Sequence, residues 1–200
     1  MIAAGRTTVI VPVGGTEQSG AHIGLGKHNA RVRELAVRIA ERLGNTLVAP
    51  VVSYVPQGTI DPPTGHMRFT GTITIPEDVF EKVLESTARS LLHHGFRNVI
   101  FLGDHGGYRR SLDRVAARVP GVHALPEYYR EMQHAGMEDT ALSLALTPDL
   151  VRTELIGKAR AGKEGVAGDP SGATASLGAE LAEQIVQRSA EAIRKAVRNR

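Results

Sequence analysis

Residues 7–13 (TTVIVPV) form an unbroken, largely β-branched run closed by Gly14 and Gly15, the pattern of a strand buried on both faces of a parallel sheet. From Asn29 to Leu43 the apolar period lengthens to that of a helix. Val32, Leu35, Ala36, Ile39, Ala40 and Leu43 share one stripe, and Gly44 stands where a helix stops. Thr46–Val52 predicts a second short strand, and Gly71–Ile75 alternates as another. Pro76-Glu77-Asp78 makes an acidic first turn for a helix running to His94, with Phe80, Leu84, Ala88 and Leu91 inward and Gly95 at its end. Asn98–Leu102 (NVIFL) predicts the central strand, which leads through Gly103-Asp104-His105-Gly106-Gly107-Tyr108 into a further helix. Val122–Leu125 reads as one more strand, Asp139–Leu146 as a short helix and Ala173–Val197 as a long amphipathic one. This alternation predicts an α/β fold, a three-layer α/β/α arrangement around a mostly parallel central sheet. The Gly-rich stretch near 157–172 is too short to separate domains, so residues 1–200 are expected to form one.

Composition narrows the function. A chain of 200 residues with 42% hydrophobic content can bury one ordinary core. Lys and Arg number 24 against 21 Asp and Glu, a net charge of +3, and the basic residues are scattered apart from Arg194, Lys195, Arg198 and Arg200. With 4% aromatics this is no nucleic-acid footprint. The absence of cysteine excludes disulfides, thiolate metal sites and a cysteine nucleophile, so any metal must be held by His, Asp and Glu. No apolar run approaches the roughly 18 residues of a membrane span, and no charged start followed by an apolar stretch marks a secretory signal. The expectation is a cytoplasmic protein with a small-molecule substrate and neither a nucleic-acid nor a membrane partner.

In open parallel sheets the site lies beyond the carboxyl ends of the strands, which points to the loops after Val13 and Leu102. The first carries Glu17, His22 and His28 and the second Asp104 and His105, side chains able to bind a divalent cation. A phosphate cradle fails on inspection. Before Gly26-Lys27 the required first Gly is Ala21, and His28 stands where Ser or Thr should bind magnesium. Ser19 has no Gly two residues before it, so a nucleophile elbow is absent and a serine hydrolase is a minor alternative.

Thr16-Glu17-Gln18-Ser19-Gly20-Ala21-His22 resembles the E-Q-H-G-x-H signature of the creatininase family, creatinine amidohydrolase and its relatives. Four further segments agree in order. Gly65-His66 to Ile75 resembles H-x-x-F-P-G-T-I-T-L, and Gly103-Asp104-His105-Gly106-Gly107 resembles N-G-H-G-G. His134-Ala135-Gly136 to Thr140 resembles H-A-G-x-x-E-T-S, and Gly168-Asp169-Pro170 resembles the G-D-P loop before the last helix. The resemblance implies a hydrolase of cyclic amides, lactams or formamides, in which a metal-activated water is the nucleophile, on an α/β/α fold that assembles into homo-oligomers, with a hexamer as the first expectation.

Carried over residue by residue, the family's metal ligands fall on Glu17, Ser19, His28 and His105. Ser19 replaces a histidine, and His28 replaces the aspartate that bridges two metals. The resemblance therefore implies one zinc, manganese or iron ion per chain, held by Glu17, His28 and His105, with Asp104 as fourth ligand or as orienter of an imidazole. His134 corresponds to a family histidine that handles protons, so the chemistry is assigned to His134 and Glu17. Ser19, His22, His66 and Asp139 are expected around the substrate. Against this stand plainer readings: His134 as a helix cap, and His22 and His66 as structural hydrogen-bonding groups. The rival function is a non-catalytic ligand-binding relative that has lost the dinuclear site. The loops at 53–70 and 126–138 are expected to set specificity, and neither holds a motif that names a substrate.

Overall fold

The chain, in a computed structural model that describes residues 2–125 and 132–198, builds its sheet from β1 (Thr8–Val13), β2 (Thr46–Val48), β3 (Asn98–Gly103) and β4 (Val122–Leu125). Their order is β2-β1-β3-β4, and every pairing is parallel. Residues 126–131 of the expected second specificity loop, and Arg200 of the basic cluster, lie outside the described residues. The helices are α1 (Lys27–Leu43), α2 (Glu77–His93), α3 (Arg109–Arg118), α4 (Met137–Leu146), the short α5 (Thr153–Ile156) and α6 (Ala175–Arg198).

The apolar run of the first strand is divided between two cores. Val9, Val11 and Val13, with Val99, Phe101 and Val122, pack under Phe80 and Leu84 of α2 and Leu112 and Val115 of α3. Ile10, with Ile100, Leu102 and Leu125, faces Leu35 and Ile39 of α1, Leu142 of α4 and Val186 and Ile193 of α6. Both sheet faces are thus covered, as strands without polar alternation require, and the result is the expected three-layer α/β/α arrangement. Where α6 crosses α4, Gly178 lies so close to the Ala141 carbonyl that no β-carbon fits. Among the described residues no helix is long and apolar enough to cross a membrane.

β1 and β3 are adjacent and in register, Val13 opposite Gly103, so their following loops leave the same sheet edge. Three elements differ from expectation. The strand expected over 46–52 ends at Val48: after Ala49 N–H reaches the Ile10 carbonyl, the next bond to β1 comes from Val52 N–H to the Pro12 carbonyl, one residue later than a regular ladder would place it, and the chain meets Val13 again at Val52. Residues 71–75 make an isolated bridge, Thr74 to Val55, in place of a strand. Their hydroxyls serve other backbone: Thr72 Oγ1 accepts from Gln18 N–H at 3.1 Å and Thr74 Oγ1 from Gln57 N–H at 2.9 Å. Helix α1 begins at Lys27, ahead of the apolar stripe, and this carries Lys27, His28 and Arg31 into the interior.

Candidate active site

The loop after β1 is set by close packing. A β-carbon on Gly14 would collide with Asn29, whose Oδ1 accepts the Gly15 N–H at 2.9 Å. Tyr108 then joins the two strand ends: its hydroxyl donates to the Val13 carbonyl at 2.6 Å and accepts the Asp104 N–H at 3.0 Å. Burial of this phenol, with Asp104 nearby, pushes its pKa well above the usual range. With the strand ends so fixed, Glu17 and His105 meet, His105 Nε2 lying 3.1 Å from Glu17 Oε2.

Glu17 is fully buried and surrounded by imidazoles. His28 Nε2 is 2.6 Å and His134 Nδ1 3.1 Å from its Oε1, while His66 Nδ1 is 3.5 Å from its Oε2. Burial alone would raise the Glu17 pKa; the charges and hydrogen bonds of His105 and His28 hold it well below the usual carboxylate range. Burial and the adjacent Lys27 push His134 down to about 3, leaving it neutral at physiological pH. His66 is also lowered, mainly by burial. His28 goes the other way. Burial and Lys27 disfavour its charge, but hydrogen bonds to Asp104 and Glu17 outweigh them and raise its pKa.

Behind this cluster runs a chain of buried ion pairs. Asp139 accepts from Lys27 Nζ, from Arg31 Nη1 at 2.5 Å and from the Ala135 N–H at 2.6 Å. Arg31 donates in turn to Asp104, which also faces His28 Nδ1 at 2.7 Å. Three carboxylates (Glu17, Asp104, Asp139) are thus matched by Lys27, Arg31 and a His28 held between two of them, all fully buried. Cations in the first turns of α1 oppose its dipole, and the carboxylates offset that cost.

The structure brings Glu17, His28, His66, His105 and His134 together. Asp104 turns its carboxylate to Arg31 and His28, the orienting position of the two considered for it. Ser19 Oγ lies 3.2 Å from His134 Nε2, and His22 Nε2 faces Thr140 Oγ1 at 3.1 Å. Asp139 belongs to the ion-pair chain. Sequence reading missed Lys27 and Arg31, although their i, i+4 spacing continues to Leu35 on the apolar stripe. It also missed Gln57, which with His66, His105 and Glu77 lines a cleft of about 590 Å³. Gln57 is 5% exposed, and its Nε2 has no hydrogen-bond partner among the described residues.

The donor chemistry fits a divalent cation. Glu17, His28 and His105 form one group whose ligand atoms lie within 4.8 Å of one another, and Glu17, His66 and His134 form a second.

Comparison with known proteins gives the chain's relatives. The sequence model described as creatininase, creatinine amidohydrolase, matches residues 2–193. The mycofactocin precursor peptide peptidase of Mycolicibacterium smegmatis is 30% identical over 215 residues, covering 94% of this chain and 84% of the relative. The creatinine amidohydrolase of Pseudomonas putida is 26% identical over 181 residues, covering 75% of this chain and 68% of that enzyme. The solved structure of a manganese creatininase superposes with a TM-score of 0.79 at 22% identity, covering 98% of this chain and 93% of the other.

Proposed function

The chain belongs to the creatininase family, and on that footing we propose that it is a metal-dependent hydrolase of C–N bonds in peptide-like or cyclic amides, working at Glu17. The observation that carries this reading is the convergence of four imidazoles on one buried carboxylate beside an open cleft. A divalent cation bound at Glu17 by imidazoles of this cluster would supply polarisation of the amide carbonyl and activation of water at neutral pH.

The chain's own groups do the rest. The cleft receives the amide along Gln57, His66 and His105. Gly107 N–H donates to His105 Nδ1 at 2.9 Å, so the neutral ring carries its proton on Nε2, towards Glu17 and the cleft. That N–H is placed to donate a hydrogen bond to the carbonyl oxygen of the bound amide as negative charge develops on it, a contribution of about 10²–10³ in rate, while the proton lost by the attacking water passes to the departing nitrogen as the C–N bond breaks. Arg31 and Asp104 hold His28 in place and keep the floor of the site rigid. A cleft of about 590 Å³ is roomier than a small ring requires and favours a peptide-like amide.

Protein purified without chelators and offered a panel of peptides, lactams, formamides and creatinine with zinc, manganese or iron tests the reading. Bound metal with metal-dependent turnover supports it, and His105→Ala should then lose turnover by the factor above. A second reading, a non-catalytic binding protein, is favoured by one observation: the cluster's three carboxylates are already balanced by its own three basic groups. Ligand binding without turnover, from protein that takes up no metal, would select it.

A further inference from the structure

We propose that Lys27 and Asp139 are positioning residues of the site: together they hold Ala135 in a left-handed backbone conformation and so fix His134 against Glu17. The inference rests on the reading of Glu17 as the centre of the reaction site and adds the device that aims one of its imidazoles.

Residues 133–136 make a turn closed by the Gly136 N–H on the Gln133 carbonyl at 2.9 Å. His134 stands second in this turn and Ala135 third, with a φ of 53°. A positive φ at the third position belongs to a type II turn, which glycine fills without steric cost and alanine does not. A flip of the peptide between His134 and Ala135 would return Ala135 to negative φ, in the type I turn open to most residues. The structure opposes that flip from both sides. Ala135 N–H donates to Asp139 Oδ2 at 2.6 Å, and the His134 carbonyl accepts the Ala167 N–H at 2.8 Å. The Ala135 methyl is fully buried in a small cluster with Ile23 and Val166.

An acidic side chain in the first turn of a helix commonly reaches back to an N–H just before it, and Asp139, the third residue of α4, could do so unaided. Capping does not explain Lys27. This residue comes from α1, is fully buried, and binds the same Asp139 oxygen that accepts the Ala135 N–H, while Arg31 serves the other oxygen at 2.5 Å. The Lys27 ammonium also lies 3.5 Å from His134 Nδ1. One cation thus bears on the His134 ring directly and on its backbone through Asp139. The ring so held lies 3.1 Å from Glu17 Oε1 and edge-on to His66, with centroids 4.4 Å apart. Release of the turn would free the His134 backbone, and the ring with it.

The test is hydrogen exchange at the Ala135 amide, resolved by fragmentation mass spectrometry at one fixed pH, together with crystal structures of the same proteins. The wild type is compared with Lys27→Met, with Lys27→Gln, which keeps a donor for Asp139 should Lys27→Met fail to fold, and with each of these combined with Ala135→Gly. Urea midpoints correct every rate for global stability. In the wild type the Ala135 amide is expected to exchange far more slowly than that of the exposed Ile60, and equal rates would overturn the proposal without any variant. Lys27→Met should speed exchange at least tenfold, Lys27→Gln less, and each should draw His134 out of contact with Glu17. Ala135→Gly needs no clamp to keep a positive φ, so it should restore that contact in the double variants. A Lys27 that served charge balance alone would not be relieved at residue 135. A folded Lys27 variant with wild-type exchange and an unmoved His134, or double variants no nearer the wild type than the single ones, would overturn the proposal. Neither readout depends on metal or turnover, so failure of this assignment and failure of the functional reading are told apart.

Discussion

Arg31 Nε and Nη2 both donate to the Asp104 carboxylate, at 3.0 and 2.9 Å, with both side chains fully buried. A pair so placed is costly to break from one side, because the buried Asp104 charge is then left with His28 in place of a guanidinium and Asp139 loses one of its two cations. Arg31→Met should therefore lower stability by about 3–5 kcal/mol, read as a shift of the urea midpoint at constant slope.

Acid should attack the same network through Asp139. Burial works to raise its pKa, but Lys27 and Arg31 overcome this and hold it well below the usual value. A carboxylate depressed in the folded state adds stability that is complete above its unfolded pKa of about 3.9. That stability is lost as pH falls through the lower folded value. Urea midpoints followed from neutral pH downwards should show this loss in the wild type and a flatter acid limb in Asp139→Asn.

Gln57 is expected to trade stability for binding. Its backbone is held on both sides, by Thr74 Oγ1 at 2.9 Å and by the His66 N–H at 3.1 Å, while its buried Nε2 has no partner among the described residues. An unsatisfied buried donor costs about 1–3 kcal/mol. Gln57→Leu should leave the melting temperature unchanged or higher and raise KM for an amide substrate tenfold or more, with a smaller change in kcat.

Gly178→Ala should destabilise by about 1–3 kcal/mol, because the added methyl must push α6 away from the Ala141 carbonyl. Thermal melting will register the loss, and the zinc affinity of the folded variant should stay that of the wild type.

How far the sequence disclosed all this depended on periodicity. The β1 and β3 strands and the stripe of α1 were legible because their apolar patterns have one structural solution each. The same logic placed Glu17 and His105 at one sheet edge. Thr72-Ile73-Thr74-Ile75 misled because alternation describes side chains, whereas these threonines are occupied with the backbone of Gln18 and Gln57. Lys27 and Arg31 were illegible for a different reason: charge on a helix ordinarily marks a solvated face, and only the distant Asp104 and Asp139 make their burial affordable. The approach of His66 and His134 to Glu17 is purely tertiary and leaves no local spacing to read.

The Tyr108 hydroxyl, bonded across the ends of both central strands, fastens one jaw of the cleft. The opposite jaw is the segment from Pro56 to His66, whose turns depend on Gly58 and Gly65 at φ of 124° and 55°. The two sides of the cleft are therefore held by different devices, one by a side-chain bond across strand ends and the other by backbone turns, and His66 is where the second side reaches Glu17. Exchange of residues 57–65 would reshape the second side while Glu17, His28, His105 and His134 keep their supports.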